Sequence, residues 1–243
     1  MDYLRSIRQD SELFYDTAVG ADPTRGVPCC PDWTVADLVW HLGEVHWFWA
    51  TDVEQRATDW ESVEKRKPAR PGTYLDTIAW GRSQLDRLLH FLESTPDGVT
   101  VWTWAPQESS HNVAFVRRHQ AQEAAVHRWD LQSAAGTGSP APIDAEVASD
   151  AIDEFLTVSL PYGVNPSKPL SGSVHLHCTD VAGEWFIERD GRVDRAHATG
   201  DVALRGTASD LLLALYDRIP VDALEVIGNE SLARHLVERV DTT

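Results

Sequence analysis

The chain has 243 residues, of which 42% are hydrophobic and 24% charged; this composition is typical of a globular protein, and the length suits two modest domains. Its 21 basic and 38 acidic residues give a formal charge of −17, which argues against binding to nucleic acid or to an anionic membrane surface because like charges repel. No apolar run approaches the ~18 residues of a membrane span, and the first residues lack a signal-peptide pattern, so we expect a cytoplasmic protein.

The chain begins with two predicted helices. Apolar residues at helical spacing within 4–18 predict the first. The second begins at Thr34, because Thr34 and Asp37 match a capping box, and it continues to Trp49. The polar stretch 51–73 that follows is predicted to be a long exposed connection, a length typical of segments that border a site.

Two further amphipathic helices are predicted in the next part of the chain. One covers 74–92 and ends before a proline, and the other covers 112–134 and ends before a glycine. Another helical pattern spans 144–160. Antiparallel packing around one apolar seam is the simplest arrangement for such helices, so residues 1–160 are predicted to form an all-α four-helix bundle.

The pattern changes after the proline-rich segment 161–169, which is interpreted as an interdomain linker. Asp190-Gly191 is a strong hairpin signal, and Thr207 is placed to cap a helix. Alternating apolar and polar residues predict strands at 173–178, 184–188, 202–206 and 224–228. Strands and helices mixed in this order predict a small α+β domain at 170–243.

One set of residues suggests a metal site. Glu123 and His127 lie four residues apart on a predicted helix, so both side chains leave the same face; zinc, nickel and iron accept such donors, although a solvated surface pair has the same spacing. His41 lies among apolar neighbours and is either a core residue or a third ligand. His119 is a rival third ligand on the same stripe as His127, but two helical turns, about 12 Å, separate them. His41 is therefore the better third ligand.

Residues 30–42 (CPDWTVADLVWHL) and 117–130 (RRHQAQEAAVHRWD) resemble the second-helix and Glu/His-helix motifs of the mycothiol-dependent maleylpyruvate isomerases. The likeness continues at 143–146, 152–156, 204–213 and 216–218, so that it extends over nearly the whole chain. It implies a DinB-like metal-binding bundle followed by a C-terminal domain of the sterol-carrier-like kind.

The resemblance also implies a cofactor and a partner. A divalent metal, usually zinc, would be bound by His41, Glu123 and His127, with the low-molecular-weight thiol mycothiol as the second cofactor. A metal-bound thiolate would then act on a small electrophilic substrate, as an isomerase or as a thiol S-transferase. Physically, a coordinating cation favours thiolate over thiol at neutral pH, which makes a nucleophile available.

Arg218 is the candidate for binding a carboxylate of the substrate. An arginine binds a carboxylate with two parallel hydrogen bonds, and Arg218 lies in the family-like segment that ends a predicted helix, facing an expected interdomain cleft. Relatives often carry Trp-Gly-Arg where this chain has Tyr216-Asp217-Arg218, so only the arginine is retained. A cation that stabilises the helix C-terminus is the alternative role, and Arg205 is the next candidate.

Two other functions are compatible with these residues. A non-catalytic module would bind a structural metal or an apolar ligand; four protein ligands to the metal would favour this reading, whereas three ligands with open positions would favour catalysis. Metal-dependent hydrolysis would need a free general base, for which Glu44 is the nearby candidate.

The remaining metal-binding residue types have simpler interpretations. His175 and His177 face the same side of a strand and could bind a metal, but without a third partner evident in the sequence an exposed strand face is the simpler explanation. Cys29 and Cys30 precede the helix that carries His41, and Cys178 lies on a strand of the other domain. We therefore expect an external thiol, and not a cysteine of this chain, to be activated.

Overall fold

The structure, a computed structural model, describes residues 1–136, 138–163 and 170–238. The chain divides into two compact units, Met1–Ala141 and Pro142–Thr243. Among the described residues, no helix combines the length and the apolar character that a membrane crossing requires.

Four long helices form the first unit, as the periodicity predicts. In chain order its elements are α1 (Tyr3–Gly20), β1 (Gly26–Val27), β2 (Cys30–Thr34), α2 (Val35–Gln55), α3 (Trp60–Glu64), α4 (Tyr74–Ser94) and α5 (Val113–Ala135). Helix α2 packs against α4, and α1 packs against α5, around a continuous apolar core. The predicted capping box is present: the Asp37 amide donates to Thr34 Oγ1, and the Thr34 amide donates to the Asp37 carboxylate. The start of α2, and with it the position of His41, is therefore fixed locally.

The segment 51–73 differs from the predicted exposed connection. Helix α2 continues through Gln55, and the short helix α3 interrupts the rest of the segment. Trp47, Ala57 and Val63 are buried and form a small apolar cluster of their own. Their contacts hold the segment against the bundle, because a buried apolar cluster favours a fixed backbone over a solvated one.

The second unit combines a mixed sheet with helices, in agreement with the predicted α+β class. Its elements are α6 (Ala145–Glu154), a π-helical turn (Phe155–Ser159), α7 (Leu160–Gly163), β3 (Val174–Cys178), β4 (Glu184–Ile187), β5 (Val193–Asp194), β6 (Val202–Gly206), α8 (Ala208–Leu215), β7 (Glu225–Gly228) and α9 (Glu230–Val237). The strand order is β5-β4-β3-β6-β7, with β3 parallel to β6 and the other neighbours antiparallel.

The boundary between the units lies earlier than the one drawn from the sequence. Helix α6 falls in the second unit, where it packs against α8. The predicted domain 1–160 includes this helix, because periodicity predicts a helix but does not identify the partner of its apolar face. Most of the predicted linker 161–169 lies outside the described residues.

The C-terminal end of α8 is closed by backbone hydrogen bonds. The Asp217 amide donates to the Ala214 carbonyl at 3.1 Å, and the Arg218 amide donates to the Leu213 carbonyl at 2.8 Å. These are the two bonds of a Schellman motif, in which the residue after the cap adopts a left-handed conformation and is usually glycine. Asp217 occupies that position with φ 55°. The triplet 216–218 therefore has a structural role whether or not Arg218 binds a substrate.

Candidate metal centre

The structure brings His41, Glu123 and His127 together inside the first unit. His41 projects from α2, and the other two project from neighbouring turns of α5. Each residue offers one ligand atom, and these atoms lie within 4.8 Å of one another. The His41 and His127 rings are 5.0 Å apart between centroids and nearly perpendicular. One carboxylate and two imidazoles from two helices therefore converge on one point.

A buried carboxylate lies directly behind His127. The Nδ1 atom of His127 donates to Asp130 Oδ2 at 3.1 Å, while its Nε2 atom lies 3.3 Å from Glu123 Oε2. Asp130 is fully buried and also accepts a hydrogen bond from the Cys29 thiol at 3.0 Å. A carboxylate on the far nitrogen of an imidazole is the usual support of a metal-binding histidine, because it fixes the tautomer and raises the basicity of the other nitrogen. The donor set and this support fit a divalent cation.

The contacts of Asp130 and Cys29 at this cluster are not among the features predicted from the sequence. Asp130 lies three residues after His127 on the same helix, a spacing at which side chains meet, and this signal was available. Cys29 was expected to lie apart from the site because it precedes α2. It instead reaches Asp130 across 101 residues of sequence, a contact for which the sequence has no local signal.

The ionisation of the three residues reflects burial and their mutual contacts. Burial, together with the neighbouring His127, lowers the pKa of His41 to about 4, so His41 is neutral at pH 7. Although burial acts in the opposite direction, hydrogen bonds to Asp130 and Glu123 raise the pKa of His127 to about 9. Burial likewise opposes the shift of Glu123, whose pKa is held below its ordinary range by the hydrogen bond from His127 and by nearby imidazoles. Glu123 is thus an anionic donor in this cluster.

The rival ligand His119 lies beside Glu123 but outside this group. Its Nε2 atom is 3.4 Å from Glu123 Oε1, so that Glu123 contacts one histidine with each oxygen. The His119 ring stacks on Phe115 and packs edge-on against Trp49. His46 also lies elsewhere: it is fully buried and within hydrogen-bond distance of Tyr15 and Ser11 on α1.

A pocket of about 200 Å³ opens beside His41. Aromatic side chains form part of its wall, and Glu44 and Lys67 lie on its polar side. Lys67 Nζ lies 2.5 Å from Glu44 Oε1, and this contact with Glu44 raises the pKa of Lys67 above its ordinary value. Glu44 is therefore near His41, as the sequence predicts, but it is held in an ion pair.

Arg218 lies in the second unit, just after α8. Its Nη1 atom donates to the Tyr216 carbonyl at 2.8 Å, and its guanidinium lies 5.8 Å from the centre of the Tyr216 ring. A cation on a terminal carbonyl of a helix matches the alternative role stated for this residue. Arg205, the next candidate, forms an ion pair with Glu225 across the β6–β7 ladder at 2.7 Å.

Fold and site together define a protein with a helical bundle that carries a candidate metal centre, followed by an α+β unit. Residues 4–132 match the family model described as the mycothiol maleylpyruvate isomerase N-terminal domain, and residues 146–235 match the C-terminal domain model of the same family. The chain belongs to the mycothiol maleylpyruvate isomerase family, as the resemblance predicts.

Individual relatives are distant. Uncharacterised proteins from two strains of Mycobacterium tuberculosis are 24% identical over 153 residues, which is 63% of this chain and 76% of theirs. The crystal structure of the mycothiol-dependent maleylpyruvate isomerase is 13% identical and superposes with a TM-score of 0.57 over 93% of this chain and 91% of that chain. A mutant of the same enzyme gives the same TM-score at 12% identity. These structures confirm the fold class.

Proposed function

We propose that this chain is an enzyme that uses mycothiol and a divalent metal, zinc, to isomerise a small electrophilic substrate or to transfer the thiol to it. The observation that carries the proposal is the convergence of His41, Glu123 and His127, with Asp130 behind His127. Family membership supports mycothiol as the thiol.

Each residue of the cluster has a defined task in this proposal. His41, Glu123 and His127 hold the metal, and Asp130 orients the His127 ring through its Nδ1 proton. When bound, the cation supplies the positive charge that favours the thiolate form of mycothiol at neutral pH. Three protein ligands leave room for an exogenous group, which supports catalysis over a purely structural role.

The thiolate can react in two ways, which differ in whether the thiol is consumed. With a maleylpyruvate-type substrate, it adds to one carbon of the cis alkene, rotation occurs about the resulting single bond, and elimination returns the trans isomer and the thiolate. With an electrophile that carries a leaving group, the new C–S bond persists and the leaving group departs with its electron pair. Isomerisation therefore regenerates the thiol, whereas S-transfer consumes one thiol per turnover.

Arg218 is proposed to bind a carboxylate of the substrate. Its guanidinium is always charged, and a local cation offsets the acidity of a chain whose formal charge is −17. Bidentate binding would hold the substrate in one orientation and so raise the turnover rate.

The test is a turnover assay with thiol accounting. The chelator-stripped chain is reloaded with zinc and mixed with maleylpyruvate and substoichiometric mycothiol; full conversion with unchanged thiol supports isomerisation. Loss of one thiol per product, with a substrate that carries a leaving group, supports S-transfer. Both activities should vanish without zinc or without mycothiol, and activity that persists without either contradicts the proposal.

Variants inside and outside the bundle cluster test whether turnover takes place at that cluster. His127→Ala should abolish turnover, while His90→Ala, an exposed position on α4, should not change it. Cys29→Ser should retain thiol-dependent turnover, because the nucleophile is external and Asp130 still holds His127. Metal-dependent hydrolysis has less support, because Glu44 is paired with Lys67.

A further inference from the structure

The face of the sheet opposite its apolar side carries a second cluster of metal-binding side chains. Along β3, Val174, Leu176 and Cys178 are buried on one face, and His175 and His177 alternate with them on the other. Glu184 on β4 is the cross-strand partner of His177. His197, in the connection between β5 and β6, lies against the same face, with its ring centroid 5.1 Å from that of His175.

The four side chains converge on one point. Each offers one ligand atom, and the four atoms lie within 4.8 Å of one another. His177 Nδ1 and His197 Nδ1 are each 2.8 Å from a different oxygen of Glu184, and His175 Nε2 is 3.4 Å from the Glu184 carboxylate. Ligand atoms of a tetrahedral zinc site are about 3.3 Å apart, since each lies about 2.0 Å from the metal. Small adjustments of these side chains would therefore accommodate the ion.

Without a cation, the cluster leaves a buried polar atom unsatisfied. His175 is only 5% exposed, and its Nε2 atom, although 3.4 Å from Glu184 Oε2, makes no hydrogen bond within the part of the chain that the structure describes. A buried nitrogen without a hydrogen bond destabilises the fold, and a cation would give it a partner.

We propose that His175, His177, Glu184 and His197 form a second metal site, which binds Zn²⁺ with four protein ligands. Three imidazoles and one carboxylate are a donor set that zinc accepts, and four protein ligands without an open position characterise a structural site. The site would fasten the β5–β6 connection to the centre of the sheet. This proposal does not depend on the function of the bundle site, because all four residues belong to the second unit.

Zinc stoichiometry tests the proposal. The untagged, chelator-stripped chain is equilibrated with Zn²⁺ alone and analysed for bound metal. We expect two zinc ions per chain in the parent and one in His197→Ala. His197 is the most exposed of the four ligands, so this variant should keep its fold. The matched control is His235→Ala, on α9 of the same unit but outside the cluster, which should retain both ions.

A second variant, Glu184→Gln, and a second measurement, the rate of proteolysis, test the same site independently of zinc stoichiometry in His197→Ala. Glu184→Gln keeps the shape of the side chain and removes its charge, and it should weaken the second zinc at least about 100-fold, since even outer partners of a metal ligand contribute 10–100-fold. Zinc should also slow proteolysis of the segment 195–200 in the parent but not in His197→Ala. The proposal is overturned if the parent binds a single zinc that is lost in His127→Ala, or if His197→Ala and Glu184→Gln bind zinc as the parent does.

Discussion

The helical unit and the sheet unit each gather histidines around one glutamate, but the two clusters differ in ligand number and in surroundings. The bundle cluster has His41, Glu123 and His127, with a buried carboxylate behind His127 and a pocket beside His41. The sheet cluster has four potential ligands, and its fourth member, His197, comes from an exposed connection. Similar donors thus favour different functions: three ligands leave room for a reacting group, and four close the site.

The largest effect that tests this comparison is expected when the two histidines of α5 that contact Glu123, His127 and His119, are replaced one at a time. His127→Ala should weaken metal binding in the bundle at least about 100-fold, because a ligand is lost. His119→Ala should weaken it no more than about tenfold, because His119 contacts Glu123 but lies outside the ligand group. Isothermal titration with Zn²⁺ measures both. Equal losses would mean that His119 is a ligand.

Asp130 tests whether the bundle cluster is a built metal site. Asp130→Asn removes the charge that holds the Nδ1 proton of His127, and we expect metal affinity to fall about 10–100-fold with the fold retained. The far-ultraviolet circular dichroism spectrum serves as the control for folding. An unchanged affinity would show that the contact with His127 only satisfies a buried carboxylate.

Arg218 tests whether the sheet unit contributes to turnover. Arg218→Ala should lower kcat/KM about tenfold or more, the loss expected for a charge-assisted hydrogen bond to substrate, with metal content unchanged. Arg234→Ala, a change to an arginine of α9 in the same unit that pairs with Glu230, is the control. If Arg218 only stabilises the helix end, stability falls by ~0.3–1 kcal/mol and turnover per folded molecule is unchanged. Arg205 is then the next residue to test.

Asp52 makes the stability of the bundle depend on pH. Burial raises its pKa to about 8, so the folded state keeps a proton that the unfolded state loses near pH 4. The contribution of Asp52 to stability therefore decreases as pH rises from about 4 to 8. Asp52→Asn should remove this loss and stabilise the chain by at least about 1 kcal/mol at pH 8. Thermal melting at pH 5 and pH 8 measures the effect, with the exposed Asp86→Asn as control; equal gains at both pH values would contradict this explanation.

The smallest expected effects come from the backbone conformation of two residues, one in each unit. Arg56 at the end of α2 and Asp217 after α8 both have positive φ, at 50° and 55°. Glycine adopts this conformation without steric cost, so Arg56→Gly and Asp217→Gly should each stabilise the chain by about 0.5–1 kcal/mol. Asp86→Gly, within the right-handed helix α4, should have the opposite sign. Chemical denaturation compares the three variants.

The sequence predicts local features of this molecule better than its long-range contacts. Periodicity and capping residues identify the four bundle helices and the start of α2 at Thr34, because these signals lie within a few residues of one another. The spacing of Glu123 and His127 indicates the bundle cluster for the same reason. Periodicity does not show that α6 belongs with the sheet, or that Val63 is buried, because both depend on distant partners.

The sheet cluster illustrates the same limit. The alternation of β3 places His175 and His177 on one face, but no third partner for them is evident in the sequence. Glu184 joins them through the register of a neighbouring strand, and His197 joins them through the path of a connection. Neither contact follows from spacing along the chain.

The most direct test of the account compares two forms of the chain, each with zinc in a single cluster. His197→Ala confines zinc to the bundle, and His127→Ala confines it to the sheet; each is assayed with mycothiol and a maleylpyruvate-type substrate after its zinc content is confirmed. We expect turnover near that of the parent for the bundle-loaded form, and none above that of the metal-free chain for the sheet-loaded form. Thiol-dependent turnover by the sheet-loaded form, or its absence from the bundle-loaded form, would contradict the assignment of catalysis to His41, Glu123 and His127.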